Sequence, residues 1–511
     1  MRKGAAIVVW LSVWFSMLVL DASTARAQAP KQGGTLQVSL WVEHAHLDTR
    51  TTVYQLSSFL LGNIHSSLVR LDKDLKPTPD LADRWEMKDG GKTWLFYLHP
   101  EVKFHDGTPA DATAVKWNFD WLVNNPGWKQ AYLIDVIASV DAINPTTVRF
   151  NLKGPVIDFD RFLSMTGSQY HIVSPAAVQK YGDDYKKHPV GSGPFRFVEW
   201  VSGSHVTVER NPDYFRKGVP YLDKVVWKIV TSPLTNVTLM RTGQLDIVGN
   251  APSKTLPLLE TVPNTQVLTG PHVRWAFAPL NLEKAPFNDL RVRQAIGCYG
   301  IDRQAIAKIA YNGLAKPLVS FLPPDAEDHV DLNGWCPYDP EKAKMLLREA
   351  GVKDLRYALI TSNSDEVFVD IGLAIQSQLQ KIGVTVKFEI LETATFYGRL
   401  GKREYEQGLE DWLPFPTMIG HLLFFHPKGP RYSGWPAEDL TPHNLMTKWR
   451  FATTRDEKRR YAREYQEYIA KNMYWVNVTS SPYFEGVRRQ VRDYHFTNGL
   501  QMWLEKTWLD R

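Results

Sequence analysis

Closely spaced histidines are the first residues in this chain whose type and spacing could do chemistry. His44 and His46 lie two apart, so on an extended backbone they share one face, a spacing that metal ligands use. Against that reading, Glu43 and Asp48 flank them just past a strand, where solvent-facing polar residues are the ordinary outcome. His421 and His426 stand five apart, near Trp412, Phe424 and Phe425, and could touch a carboxylate or a chelated metal; the simpler reading is an ordinary loop histidine. Gly191-Ser192-Gly193 precedes Pro194 and an apolar strand rather than a helix, so it cannot present amides to a phosphate and reads as a corner where the chain passes between lobes. Covalent catalysis needs a nucleophile, a base and an orienting group, and no fragment of such a set is legible. There is no G-x-S-x-G elbow, H-E-x-x-H, P-loop or G-x-G-x-x-G after a strand. The expectation is therefore no enzyme, no cofactor and no metal.

Aromatic residues offer a different chemistry. Of 18 tryptophans, Trp41, Trp412 and Trp435 fall at strand ends or in loops, where an indole can stack on a sugar face, a planar chelate or a cation. The remainder are expected to fill cores.

The elements that must position these residues alternate strand, helix and turn, without a repeat. Residues 84–87 and 93–99 form a hairpin around Lys88-Asp89-Gly90-Gly91, because glycines permit the positive φ of a tight turn. Asp111 or Thr113 caps a helix whose Val115, Phe119 and Leu122 recur at i, i+4, i+7. Strands are expected at 35–42, 206–209, 225–230, 245–248 and 474–478, and helical spacing at 236–242, 290–296, 303–311, 340–350, 368–382 and 455–471. Gly243, Gly351 and Gly383 stand just past helix ends, where a left-handed C-cap suits glycine. The mixture implies α/β lobes, and 511 residues exceed what one hydrophobic core supports, so two or more are expected.

The N-terminus carries an address. Arg2 and Lys3 precede the apolar stretch 5–20, and Ala25-Arg26-Ala27 supplies the small residues that signal peptidase reads, so cleavage after Ala27 and a mature start at Gln28 are expected. A retained anchor is the alternative; no cysteine follows the stretch to carry a lipid. Removing the leader reduces the formal charge from +5 to about +3, too weak to argue for nucleic acid. Only Cys298 and Cys336 are present, and an oxidising compartment permits a disulfide between them, with two buried thiols as the alternative.

The order P-x-L-A-x-x-W-E, D-G-x-T-W-x-F-x-L and V-K-F-H-D-G-x-P over residues 77–109 resembles the signature region of the family 5 extracellular solute-binding proteins, the peptide, nickel and opine receptors of ABC importers; the chain departs from the family pattern with His99 in place of Arg or Lys. Six further landmarks follow in family order: GGTL at 33–36, HPVGSGPFRFVEW at 188–200, RNPDYF at 210–215, RTGQLDI at 241–247, PFNDLRVRQAIGCYGIDR at 286–303 and YDPEKA at 338–343. The resemblance implies a two-lobed periplasmic binding protein of the cluster C type, with a ligand cleft between lobes and a small extra subdomain. It divides the chain into a discontinuous lobe I (33–58, 192–272, 482–511), an inserted subdomain of that lobe (59–191) and lobe II (273–481), with a hinge near 272 and 482. The implied partners are a small-molecule or short-peptide ligand and an inner-membrane ABC permease, the protein itself being a periplasmic monomer. A sensory module, a chaperone-like peptide holder and a metal-chelate or oligosaccharide receptor of the same fold stay open.

Peptide receptors of this family read Y-D-x-x-x-x-G-W-x-x-D-Y-x-D-P in the cleft, and the Asp after the Trp meets the ligand's ammonium group. Aligned without gaps on Tyr405 and Trp412, this chain places Phe415 there. A buried ammonium without a counter-charge costs several kcal/mol, so either Glu410 or Asp411 replaces the missing Asp, or the ligand is no common peptide. The second reading is preferred. Trp41, Glu410, Asp411, Trp412, Phe415, His421 and Trp435 are the candidate ligand contacts, with Trp412 foremost.

Overall fold

The computed structural model describes residues 29–51, 57–125, 134–165, 170–412, 418, 438–496 and 502–511. One eleven-stranded mixed sheet runs through most of the molecule. Its order is Thr385–Leu391, Arg356–Ser362, Gln407–Trp412, Thr265–Pro279, Trp475–Arg488, Ile247–Val248, Thr35–Leu40, Lys224–Ile229, His205–Arg210 and Phe195–Val201, with Lys316–Pro317 paired to Trp475–Arg488 off this path. The two longest strands stand in the middle: Thr265–Pro279 and Trp475–Arg488 pair antiparallel along nearly their whole length. On one side, Thr35–Leu40 lies parallel to Lys224–Ile229; on the other, Arg356–Ser362 lies parallel to both Thr385–Leu391 and Gln407–Trp412. Leu36, Val38 and Leu40 of Thr35–Leu40 and Tyr357, Leu359 and Ile360 of Arg356–Ser362 are the apolar positions these parallel strands bury.

A separate four-stranded antiparallel sheet forms from Ala82–Lys88, Thr93–Leu98, Thr147–Leu152 and Ile137–Asn144. Gly90 and Gly91 turn its first hairpin at φ 63° and 93°. The helix Ala112–Asn124 packs on it; Asp111 caps that helix, accepting from the Thr113 and Ala114 amides, and Val115, Phe119 and Leu122 are buried. One apolar core runs from this sheet into the segment 275–478, a second surrounds Leu36, Trp227, Tyr483 and Leu504, and a third gathers around Met240, Leu259 and Phe484. Cys298 and Cys336 form a disulfide across 38 residues. Among the described residues no helix is long and apolar enough to cross a membrane.

Several elements differ from expectation for local reasons. The strand expected at 474–478 continues to Arg488, and its Asn477, Thr479, Ser480 and Ser481 are buried with the rest. Only Ile247–Val248 of the expected 245–248 strand pairs, because the Leu245 amide bonds back to the Leu239 carbonyl. Helix Leu290–Gln294 widens into a π-turn at Ala295–Tyr299, where Gly297 lets Val476 approach within 2.5 Å of where a Cβ would stand. His44 is 8% exposed, a correction to its solvent-facing expectation: the chain folds back after Thr35–Leu40.

Candidate ligand cleft

The two long strands change neighbours at one level. From Thr265 to Thr269 the first strand pairs with Arg488 to Phe484, and from Arg274 onward with Ser481 to Trp475; the register shifts on both sides of the His272–Pro482 pair. Pro271 and Pro482 lack amide donors, so the ladder is weakest there. His272 compensates in part by donating its amide to Asp325 Oδ2 at 2.7 Å.

Arg274 follows two residues later, its side chain 14% exposed. Its Nη2 donates to Asp365 Oδ2 at 2.7 Å and its Nε donates to Asp411 Oδ2. Burial works against the guanidinium charge, but Asp365 and its other neighbours outweigh burial and raise the pKa above the usual arginine value. Asp365 is fixed from the other direction, because its Oδ1 caps the helix Glu366–Gln380 through the Val367 amide. Asp411 is held by the sheet, where it pairs with Ala276 while Trp412 pairs with Trp275. One cation thus ties together the crossing strand, a helix N-terminus and the end of Gln407–Trp412.

The opposite wall begins at Trp41, directly after Thr35–Leu40. Its ring lies 5.3 Å from Phe59 and 6.2 Å from Tyr483, and it covers Gly249, where a Cβ would stand 3.1 Å from the indole. Glu485 is fully buried two residues beyond Tyr483; Tyr494 Oη donates to its Oε2 at 2.6 Å, while Oε1 has no hydrogen-bond partner. Burial pushes this carboxyl up to about 8, so it holds a proton at neutral pH. Between the walls lies a cavity of about 20 Å³, room for one water, lined by Asn250 to Ser253 on one side and Arg274, Tyr311, Asp365 and Val367 on the other. Lys254 and Asp370 form an ion pair beside it. A larger groove of about 600 Å³ opens to solvent over Lys224–Ile229 and His205–Arg210, on strands of one side only.

Of the candidate ligand contacts, Asp411 and Trp41 stand on these two walls. Glu410 is buried at 4% exposure, opposite Phe277 in the ladder. Phe415, His421 and Trp435 lie outside the described residues. Arg274, Asp365, Tyr483 and Glu485 were missed, although an arginine inside the apolar run VRWAFA and a glutamate inside YFEGV are the kind of polar interruption that a buried strand keeps only with a partner. Among the described residues no group of three or more His, Cys, Asp or Glu is arranged to hold a metal.

Comparison with known proteins places this architecture. Residues 76–421 match the family of bacterial extracellular solute-binding proteins, family 5. The glutathione-binding protein GsiB of Salmonella paratyphi A is 31% identical over 399 residues, 78% of this chain and 77% of that protein. The structure of the Helicobacter pylori ABC transporter-associated periplasmic binding protein DppA, in complex with peptide STSA, superposes with a TM-score of 0.84 at 24% identity, covering 94% of this chain and 99% of that one. AgaA of A. tumefaciens, in complex with agropinic acid, gives a TM-score of 0.83 at 26% identity, again covering 94% and 99%. The chain belongs to family 5 of the bacterial extracellular solute-binding proteins, the substrate-binding components of ABC transporters.

Proposed function

We propose that this protein captures one class of small solute in the cleft between a lobe I wall (Trp41, Tyr483) and a lobe II wall (Arg274, Asp365 and Asp411). It closes about the proline-interrupted crossing near 272 and 482 and docks, closed, on an inner-membrane permease. It does so as a periplasmic monomer freed of its leader after Ala27, without turnover and without nucleic acid. Solute that touches both walls stabilises the closed form by its differential affinity for the two states.

The observation that carries the ligand class is the Arg274–Asp411 pair. Asp411 cannot present a full charge to a ligand ammonium while Arg274 holds it, and Phe415 stands where peptide receptors keep the ammonium-binding Asp. Recognition then rests on stacking and distributed hydrogen bonds, with Trp412 as the main aromatic contact and Phe415, His421 and Trp435 as further candidate contacts. The likeness to glutathione-binding proteins supports a small peptide-like or peptide-derived solute over an oligosaccharide.

The test is titration calorimetry with the solute that co-purifies, identified by mass spectrometry. Trp412→Ala is expected to weaken binding by about 1–3 kcal/mol. Phe415→Asp is expected to leave affinity no better, because it buries a carboxylate with no cation to meet it. A free-amine dipeptide whose affinity collapses in Asp411→Asn would refute this reading and make Asp411 the anchor. Weak binding of many unrelated peptides would instead mark a chaperone-like holder.

A further inference from the structure

The inserted subdomain touches lobe II through shared apolar packing and a group of charged residues, of which one pair is almost closed off from water. Asp158, at the start of the helix Phe159–Met165, lies 2.9 Å from Lys458 Nζ and 3.7 Å from Arg455 Nη1, both on the helix Arg455–Asn472. The side chains of Lys458 and Asp158 are 2% and 6% exposed. Their contact is an ion pair by distance, without hydrogen-bond alignment, and Lys458 Nζ also sits 4.1 Å above the Trp449 ring. Glu327 of lobe II pairs with both Arg455 and Arg161, and Arg450 reaches Asp135 at 2.6 Å. Beside them Gly154 lies under Phe451, where a Cβ would stand 2.6 Å from the ring. Burial pulls Lys458 below the usual lysine range, and Asp158 opposes that pull.

The covalent path decides what these contacts do. The chain enters lobe II through Thr265–Pro279 and leaves it through Trp475–Arg488, so no covalent link joins 59–191 directly to lobe II. The subdomain is instead bound to lobe I by hydrogen bonds that cross the joint: Glu505 accepts from Arg70 at 2.6 Å, Arg216 donates to the Pro79 carbonyl at 2.7 Å, and Asn63 donates to the Met502 carbonyl at 2.7 Å. Rotation about the crossing therefore carries the subdomain with lobe I and separates Asp158 from Lys458.

We infer that the Asp158–Lys458 pair is a closure latch, an ion pair completed and buried only when the lobes shut, which keeps the empty receptor from closing and lets it close only in the register that mates the two charges. Opening returns both charges to water, so hydration favours the open form, and breaking the pair by removing one partner penalises the closed form. An apolar pair of similar volume loses that bias toward opening. The inference rests on the two-lobe reading above.

The test is small-angle scattering of protein stripped of co-purified solute by partial unfolding in guanidinium chloride and dialysis. D158L/K458M is expected to shift the radius of gyration of the stripped protein most of the way to the solute-bound value, whereas K458M alone is expected to expand it. Either shift supports the latch. If both variants scatter as the parent does while only their melting temperature changes, the contact is a permanent interface and the inference falls. Should K458M fail to fold, D158N carries the same expectation of expansion. Calorimetry reads solute capture separately, so a negative scattering result leaves the proposed function standing.

Discussion

The inserted subdomain meets lobe I and lobe II through two junctions of opposite character. Toward lobe I, Arg70 donates to Glu505, which Arg216 and Tyr214 hold from the lobe I side, and backbone packs directly on backbone: a Cβ at Gly193 would stand 2.7 Å from the Asn63 carbonyl oxygen. Three histidines of the subdomain back this joint: His105 bonds across it to the Gly193 carbonyl at 3.0 Å, and the buried His65 stacks on the buried His171 at 5.8 Å. Toward lobe II the apolar core continues across the seam, and beside it the contacts are side chain on side chain, charge on charge and ring over glycine. The first junction has no arrangement that could part without exposing unpaired groups in a packed interior, whereas each charge at the second finds water when it parts. A fixed joint and a separable one are thus written in different chemistry.

Removing one carboxylate should separate them most sharply. Glu505→Ala leaves Arg70 and Arg216 without their shared acid, and a loss of about 3–5 kcal/mol of unfolding stability is expected in a urea melt. Burial alone would raise the Glu505 carboxyl, but Arg70 and Arg216 overcome it and hold it down to about 2. That stabilisation is complete above the unfolded value of 4.5 and is lost as pH falls through about 2. Cys298→Ser/Cys336→Ser is the control within lobe II: opening a loop of 38 residues is expected to cost about 3–4 kcal/mol while leaving closure by scattering unchanged.

Methyl groups probe the two junctions more gently. Gly193→Ala meets fixed backbone of Asn63 and Ile64 and is expected to cost about 1–3 kcal/mol of stability. Gly154→Ala meets only the edge of the Phe451 ring, which can turn, so it should leave the melt nearly unchanged and weaken solute affinity instead. Equal losses of stability at both positions would erase the distinction.

Acid gives the most graded test. Burial holds His65 at about 4 and His105 at about 3, and lowers His171 as well, against 6.5 when unfolded. Their contribution is therefore full above pH 6.5 and lost as pH falls toward those folded values, at about 1.4 kcal/mol per pH unit for each histidine that only the unfolded chain protonates. Hydrogen exchange between pH 6.5 and 4 should show residues 61–66 and 190–195 opening before the Asp158–Lys458 contact does.

Most of the regular elements were legible because local chemistry dictated them. Asp111 caps the helix that its position announces, and Gly351 and Gly383 end helices at φ 70° and 83°. The long strand Trp475–Arg488 was legible only at its start, since burial on both faces removes the alternation that marks a strand. The cleft was half legible. Trp41 and Asp411 could be chosen from type and position, but nothing near residue 411 in the sequence announces that Arg274, 137 residues earlier, takes its charge. Nor could the latch be seen, because Asp158 and Lys458 are 300 residues apart and each reads alone as a solvated charge.

The most direct measurement of solute capture by closure is small-angle scattering of the stripped protein titrated with the small molecule it releases on denaturation. The expected result is a contraction that saturates at one equivalent and is weakened in Trp412→Ala. A protein that releases no small molecule, or whose dimensions stay constant through saturation, would contradict the account.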